Sequence, residues 1–235
     1  MKYVKKTGKI FSYILVFFLL GIGIIYVFYN ESVPTGQEGN KADALAKKMT
    51  QAIGGEKYAN TNFLEWSFAN GSHRYKWNKS MGLVTVKWDD YTAKLNLNNN
   101  SLGTITKENT KLTTKEKKEL LQNALDYFNN DSFWLVAPFK VFDKGTKREI
   151  VTLENGEEAL LVSYTIGGST PGDSYLWLLQ PNGTPKSYKM WVSIIPVGGI
   201  KASWEGWKRM KSGILLPSKH KIGPITLDMG TIKAY

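Results

Sequence analysis

The sequence contains no cysteine and only two histidines, His73 and His220. Without cysteine the chain can form no disulfide, no thiolate metal site and no thiol nucleophile, and it cannot carry the lipid of a lipoprotein. No His-x-x-x-His or comparable spacing is present, so carboxylates would have to complete any zinc site. We therefore predict no metal and no cofactor, and a domain that is held together by its core alone.

Patterns of catalytic residues are also scarce. Neither histidine lies near a Gly-x-Ser-x-Gly nucleophile elbow. A glycosidase would need two acids that face each other across a cleft. The pair Asp89-Asp90 is typical of a turn between strands, and Asp131 and Asp173 are predicted to bind nearby backbone groups. We expect no enzymatic activity, and a hydrolase is the weakest of the alternatives.

One long apolar run is present, from Ile10 to Tyr29, and it contains no charge. As a helix it would span roughly 30 Å, the thickness of a bilayer's hydrocarbon core. Lysines at positions 2, 5, 6 and 9 precede it, and the first charge after it is Glu31. Lysines on one flank place that flank in the cytoplasm. The run predicts a single-pass signal anchor with an exported C-terminal domain, and its anchor residues include Ile10, Leu15, Phe18, Ile24 and Phe28.

A cleaved signal peptide would share the basic start and the apolar middle of this run. However, the run is too long, and Tyr26 to Tyr29 lack the small residues that a signal peptidase requires. We therefore predict a cytoplasmic tail over residues 1–9, an uncleaved anchor over residues 10–29 and a folded domain over residues 40–235. Between them, residues 30–39 are polar with Pro and Gly, and they predict a short linker.

The chain is strongly basic, with a formal charge of +11. Four lysines precede the apolar run, which leaves +7 for the exported part. Such a charge suits an anionic membrane surface, whereas an exported domain rarely meets nucleic acid, which we do not expect as a partner. A solvated face is the simpler interpretation. The basic side chains in question are Lys107, Lys111, Lys115, Lys117, Lys118, Lys208, Arg209, Lys211, Lys219 and Lys221.

Two helices are predicted in the exported domain. The first covers residues 41–53, with Asn40 as its cap and an apolar stripe formed by Ala42, Leu45, Met49 and Ile53. The second covers residues 114–128, where Thr113 and Glu116 form a capping box. The aromatic segment that follows leads to Pro138, which suits a strand end. In an extended segment Phe133 and Trp134 would point to opposite faces.

Elsewhere apolar and polar residues alternate in short runs that are separated by turn residues. This pattern begins at Leu64, Trp66 and Phe68, and it returns in Leu160 to Ile166 and in Tyr188 to Ile194. It indicates antiparallel strands with one buried face, and the count approaches eleven. The predicted fold class is therefore mainly β (α+β).

Two segments, NDSFWLVAPFKVFDKG (130–145) and TPGDSYLWLLQPNG (170–183), resemble an uncharacterised family of bacterial envelope proteins. That family is similar in fold to the periplasmic lipoprotein carrier and to its outer-membrane lipoprotein receptor. Over residues 55–235 the resemblance implies a strongly curved antiparallel sheet, an unclosed half-barrel with two helices on its concave side. It also implies a location at the bacterial inner membrane with the domain in the periplasm. In the carriers, an apolar cavity between sheet and helices receives acyl chains.

Aromatic side chains are abundant at 13% of the residues. They can fill the core of a curved sheet, or they can line a cavity for an apolar or lipid-like ligand. The alternative function is a module whose exposed aromatic face recognises a protein or glycan of the envelope. The candidates for the cavity are Trp66, Phe68, Trp77, Trp88, Phe133, Trp134, Trp177 and Trp191.

We expect the N-terminus to be cytoplasmic and the C-terminus to be exported. A reporter that is active only outside the cytoplasm, fused after Tyr235, should be active, because the lysines hold the preceding flank inside. The same reporter fused after Lys9 should be inactive. An intact but inactive fusion at Tyr235 would contradict this topology.

Overall fold

A computed structural model of the chain describes Tyr26, residues 29–167 and residues 169–235. Among these residues, the model contains no helix with the length and apolar character needed to cross a membrane. The predicted anchor over residues 10–29 lies outside the described residues, apart from Tyr26 and Tyr29. The five anchor residues named above are all outside them, and the anchor stays a prediction.

The described part is mainly β, and its strands pair antiparallel. The first sheet, sheet 1, has the strand order β15-β1-β2-β3-β4-β5. Its inner face is apolar because alternate residues such as Leu64, Trp66 and Phe68 are buried. Its strands are β1 (Phe63–Phe68), β2 (His73–Asn78), β3 (Leu83–Trp88), β4 (Tyr91–Asn96), β5 (Thr104–Lys107) and β15 (Lys233–Ala234).

The second sheet, sheet 2, has the strand order β10-β9-β8-β7-β6. It consists of β6 (Thr146–Thr152), β7 (Glu158–Tyr164), β8 (Ser174–Leu179), β9 (Pro185–Trp191) and β10 (Ile200–Ser203). Two hairpins follow, one of β11 (Lys208–Arg209) with β12 (Leu215–Leu216), the other of β13 (Lys219–Ile222) with β14 (Ile225–Asp228). The expected single sheet is thus two sheets and two hairpins.

The hairpin of β13 and β14 connects the two sheets. On one side the Lys221 N–H donates to Ser203 Oγ of β10 at 2.9 Å. On the other side the Ser67 N–H of β1 donates to the carbonyl of Met229 at 3.2 Å. The free edge of sheet 2 is in this way joined to the edge of sheet 1, and the inner faces of both sheets contribute to one core.

The strands end earlier than alternation alone predicts. Ile166, Val192 and Ile194 were expected to continue the faces of two strands, and this is wrong. All three lie in loops, where Ile166 is 50% and Ile194 is 69% exposed. Apolar side chains continue to alternate past the last paired residues, Tyr164 and Trp191, so the sequence gives no sign that backbone pairing has stopped.

The helices are α1 (Asn40–Ala52), α2 (Gly55–Ala59) and α3 (Thr114–Val136). The predicted stripe of α1 faces the core, although the cap is Gly39 and not Asn40. The capping box of α3 is confirmed, since the Glu116 N–H donates to Thr113 Oγ1 at 3.3 Å and the Thr113 N–H donates to the Glu116 carboxylate at 2.8 Å. α3 continues to Val136, so the prediction of an extended segment after residue 128 is wrong.

The predicted linker packs against the domain. Residues 31–38, here called the N-terminal strap, cross the outer face of sheet 2. Gln37 pairs with Ile150 at the β6 edge, with two backbone hydrogen bonds of 2.8 and 2.9 Å. Gly36 lies so close to this strand that an added Cβ would stand 2.6 Å from the Glu149 Cβ. The strap adjoins a small apolar cluster formed by Val151, Ala159, Leu161 and Leu176.

We expect Gly36→Val to destabilise a protein that comprises residues 30–235. The new side chain would collide with β6 and lift the strap, which should lower the free energy of unfolding by about 1–3 kcal/mol in urea titrations. The matched control is Thr35→Val, which introduces the same residue at the exposed neighbouring position. Equal stability of Gly36→Val and the control would show that the strap does not hold the sheet.

Candidate ligand site

The end of α3 is enclosed by sheet 2 and the β13–β14 hairpin. The Trp134 ring lies 5.6 Å from that of Tyr188 in β9 and 5.2 Å from that of His220 in β13, measured between ring centroids. The Phe133 ring lies 4.7 Å from that of Tyr175 in β8. On a helix, neighbouring residues diverge by about 100° rather than 180°, so both aromatics can face this sheet.

These side chains belong to one continuous group, here called the inner aromatic cluster. Trp177 and Trp204 are in ring contact at 5.0 Å, and Trp177 meets Tyr188 edge to face at the same distance. Edge-to-face and tilted contacts of this kind stabilise aromatic pairs beyond their area of burial. The inner aromatic cluster consists of Phe133, Trp134, Tyr164, Tyr175, Trp177, Tyr188, Trp204 and His220.

Several polar atoms of the inner aromatic cluster have no hydrogen-bond partner among the described residues. They are the hydroxyls of Tyr164 and Tyr188, the indole nitrogens of Trp177 and Trp204, and Nε2 of His220. Buried polar groups are normally paired, and leaving one unpaired costs about 1–3 kcal/mol. Burial also raises the pKa of both tyrosines far above the ordinary value, so their hydroxyls stay protonated. The cluster thus offers unused donors and acceptors among apolar rings.

His220 is fully buried at the edge of the same cluster. Its Nδ1 lies 2.9 Å from the Ser203 carbonyl, which makes Nδ1 the protonated nitrogen of a neutral ring. Burial lowers the pKa of His220 from 6.5 to about 4, although the carbonyls of Ser203 and Trp134 and the charge of Glu205 act in the opposite direction. His220 is therefore neutral near pH 7, and no zinc ligands accompany it. Among the described residues, no group of three or more His, Asp or Glu could hold a metal ion.

The other predicted aromatics pack elsewhere. Trp66 and Trp77 of sheet 1 lie against Phe128 of α3, at 6.3 and 5.3 Å. Trp88 meets Tyr127 on the same helix at 5.8 Å, and Phe68 is buried in the same core. Trp191 lies on the outer face of sheet 2, where its indole N–H donates to the Glu31 carbonyl. Of the eight candidates, the structure brings Phe133, Trp134 and Trp177 together.

A polar centre between α3 and sheet 1 was not predicted. The buried Asp131 carboxylate accepts hydrogen bonds from the Tyr75 hydroxyl at 2.5 Å and the Asn130 amide at 2.8 Å, and it lies 2.7 Å from His73 Nδ1. Burial raises the pKa of Asp131, and these bonds oppose the rise. The expectation that Asp131 binds nearby backbone is wrong. Because α3 was predicted to end before Asp131, no pattern of residues indicated that Asp131 would lie against β2.

Two surface clefts of about 410 and 400 Å³ are open to solvent. The first adjoins the inner aromatic cluster, because Trp204 contributes to its wall. Its other lining residues include Lys186, Ser187, Lys201 and Trp207. The second lies between β4 and the first half of α3, near Leu95 and Lys118. None of the eight predicted aromatics lines either cleft.

Neither a comparison with models of protein families nor a comparison with curated proteins finds a match. The resemblance to an envelope family rests on its two motifs and stays a prediction. The chemistry of the site must therefore be inferred from the side chains themselves.

We expect the free energy of unfolding to decrease as the pH falls, because the buried His220 resists protonation in the folded chain. The unfolded chain binds a proton at this histidine below about pH 6.5, whereas the folded chain does so only near pH 4. The free energy of unfolding should therefore decrease by about 3 kcal/mol as the pH falls through this window. His220→Gln should reduce this decrease in urea titrations at successive pH values.

The matched control for this measurement is His73→Gln, at the second histidine, whose side chain is partly exposed. This variant should retain the decrease that His220 causes. An unchanged pH dependence in His220→Gln would contradict the assignment of the decrease to the buried ring.

Proposed function

We propose that this protein binds an apolar or lipid-like ligand at the inner aromatic cluster and performs no catalysis. The observation that carries the proposal is the group of buried, unpartnered hydroxyl and indole groups among the described aromatic residues. Apolar pockets with a few convergent polar groups are the usual form of small-molecule sites. A ligand that supplied hydrogen bonds to Tyr188 and Trp204 would remove a free-energy cost that the unliganded fold bears.

The two sheets and the hairpin of β13 and β14 are proposed to act as one unclosed half-barrel around α1 and α3. Support comes from the hydrogen bonds of the hairpin to β10 and to β1, which leave β5 and β6 at the outer ends of the series. Because β6 and β5 are not paired with each other in the described sheets, α3 can shift without breaking a closed ring of strands.

The ligand is proposed to be an amphiphile. Rings such as Trp134 and Trp177 offer surface to a hydrocarbon chain, whereas the hydroxyl of Tyr188 can donate to a carbonyl or accept from a hydroxyl. An extended apolar molecule with one ester, acid or alcohol group meets both requirements. A purely polar ligand would leave the rings without apolar contact.

Entry is proposed at the surface cleft beside Trp204. Trp204 contributes to the wall of this cleft, and its ring also lies 4.6 Å from His220 and 5.6 Å from Tyr188 inside the core. Rotation of the Trp204 side chain would open a path from this cleft to the rings of the cluster. Lys186 and Lys201 at the cleft could meanwhile hold an anionic headgroup.

The protein is proposed to do this at the outer surface of a bacterial inner membrane, anchored by residues 10–29. The apolar run and the lysines before it support this location. The alternative of an exposed aromatic face that recognises a protein or glycan has less support, because Trp66, Trp88, Trp134, Trp177 and Trp204 are each less than 9% exposed.

We expect Tyr188→Phe to separate ligand binding from stability. The change keeps the ring and removes an unpartnered hydroxyl, so it should raise the free energy of unfolding by about 1–3 kcal/mol. It should also weaken the binding of a dansyl-labelled fatty acid by about tenfold, because the ligand loses a hydrogen bond. Fluorescence titration of the wild-type protein should give a stoichiometry near one.

The matched control is Tyr75→Phe, whose lost hydroxyl donates to Asp131 in the unliganded fold. It should lower stability and leave the affinity for the probe unchanged. Trp134→Ala should weaken probe binding and lower stability by about 3–5 kcal/mol. If the folded wild-type protein bound the probe without saturation, ligand binding at this cluster would be ruled out.

A further inference from the structure

The chain segment that follows the apolar run is fastened to one end of sheet 2. The Glu31 N–H donates to the Gly198 carbonyl at 3.1 Å, and the Gly198 N–H donates to Asn30 Oδ1 at 2.8 Å. The Trp191 indole N–H donates to the Glu31 carbonyl at 2.7 Å, while Lys189 Nζ contacts both Glu31 carboxylate oxygens at 2.6 and 2.7 Å. The domain is therefore held at the point where the apolar run ends.

The end of sheet 2 that receives these bonds carries two loops. One loop connects β7 to β8 and the other connects β9 to β10, and antiparallel pairing places both at the same end of the sheet. Each presents an exposed isoleucine, Ile166 at 50% and Ile194 at 69%. The 11 residues from Met190 to Ile200 include no charged side chain, whereas 22% of the whole chain is charged.

Asp173 ties the two loops together. Its carboxylate accepts a hydrogen bond from the Ser193 N–H of the β9–β10 loop at 2.9 Å. Its carbonyl accepts from the Tyr164 N–H at the end of β7, also at 2.9 Å. Asp173 is only 4% exposed, and its carboxylate also accepts a hydrogen bond from Thr170 Oγ1 at 2.5 Å. These bonds fix the loops relative to each other and to the sheet.

We propose that this loop end of sheet 2 rests in the interfacial layer of the phospholipid bilayer that the apolar run enters. The inference rests on the proposed membrane anchor and adds the orientation of the domain. The exposed apolar side chains of the β9–β10 loop can enter the headgroup layer, because no charged residue lies between Met190 and Ile200 and no ion there has to lose its water.

The surrounding side chains also suit contact with the headgroup layer of a bilayer. Tyr26 and Tyr29 are 48% and 71% exposed, and the half-buried Trp191 donates to the carbonyl of Glu31, two residues after Tyr29. Tyrosine and tryptophan are enriched at the level of lipid headgroups, where one end of the side chain is apolar and the other is hydrated. With Glu31 paired to Lys189, the nearest carboxylate on the strap is also neutralised.

The test uses single cysteines in the full-length protein, which has none of its own. Ile194→Cys and Ile166→Cys are labelled with an environment-sensitive nitrobenzoxadiazole fluorophore and reconstituted into vesicles of phosphatidylcholine and phosphatidylglycerol. Leu102→Cys and Met81→Cys are matched controls, because both are exposed apolar residues on sheet 1 or its turns, at 62% and 58%. Quenching by lipids that carry a nitroxide near the headgroup reports contact with the bilayer.

We expect the labels at residues 194 and 166 to be quenched at least about twofold more than the labels at residues 102 and 81. Equal quenching at all four positions, with the protein floating with the vesicles, would overturn the proposed orientation. Failure to float with the vesicles would instead overturn the membrane anchor itself. A blue-shifted but unquenched label at residue 194 would mean that a second copy of the chain covers this surface, which also overturns the proposal.

A further variant tests whether the strap sets the orientation. In Gly198→Leu the added Cβ would stand 2.6 Å from the Glu31 carbonyl and 2.4 Å from the Trp191 ring, so the fastening must open. Quenching at residue 194 should then fall toward the values of the controls. Unchanged quenching in a folded Gly198→Leu protein would overturn the role of the strap.

Discussion

Burial of the second half of α3 is the constraint on which the rest of the fold depends. Phe128 fills the inner face of sheet 1, and Trp134 fills the inner face of sheet 2. Leu135 and Val136 are almost fully buried as well, and residues 131–136 are all buried or partly buried, so the end of the helix has no solvent face. Each sheet alone would expose one apolar side, and the helix covers both. Loss of the helix would therefore leave two apolar sheet faces in contact with water.

The core that results is unusual in its polarity. Tyr75 and Asp131 satisfy each other between α3 and sheet 1, and this hydrogen bond offsets part of the cost of a buried carboxylate. Around Tyr188 and Trp204 the corresponding partners are missing among the described residues. At position 188 a phenylalanine would pack equally well without the cost of an unpaired hydroxyl. Unpartnered buried atoms also occur in the first half, at the indole nitrogens of Trp66 and Trp77, but five such atoms share the inner aromatic cluster, and this concentration is the reason to place ligand binding in the second half.

The N-terminal strap connects this core to the predicted membrane anchor. A flexible linker would let the domain tumble, whereas bonds at Glu31 and at Gln37 fix the strap at two places on sheet 2. The same sheet contributes Trp177 and Tyr188 to the inner aromatic cluster. The distance between the proposed ligand site and the bilayer is thereby set by a rigid element.

Local patterns in the sequence determined the local structure. Alternation identified β1 to β4, and the capping box at Thr113 placed the start of α3, because both depend on neighbours within a few residues. The length of α3, the docking of the strap and the position of Asp131 were decided by tertiary structure. Asn129 to Ser132 resemble a helix end, yet burial between two sheets requires the backbone there to satisfy its own hydrogen bonds, and a helix does so. Contacts between residues 56 or more apart in the chain, such as Tyr75 with Asp131, leave no periodic signal in the sequence.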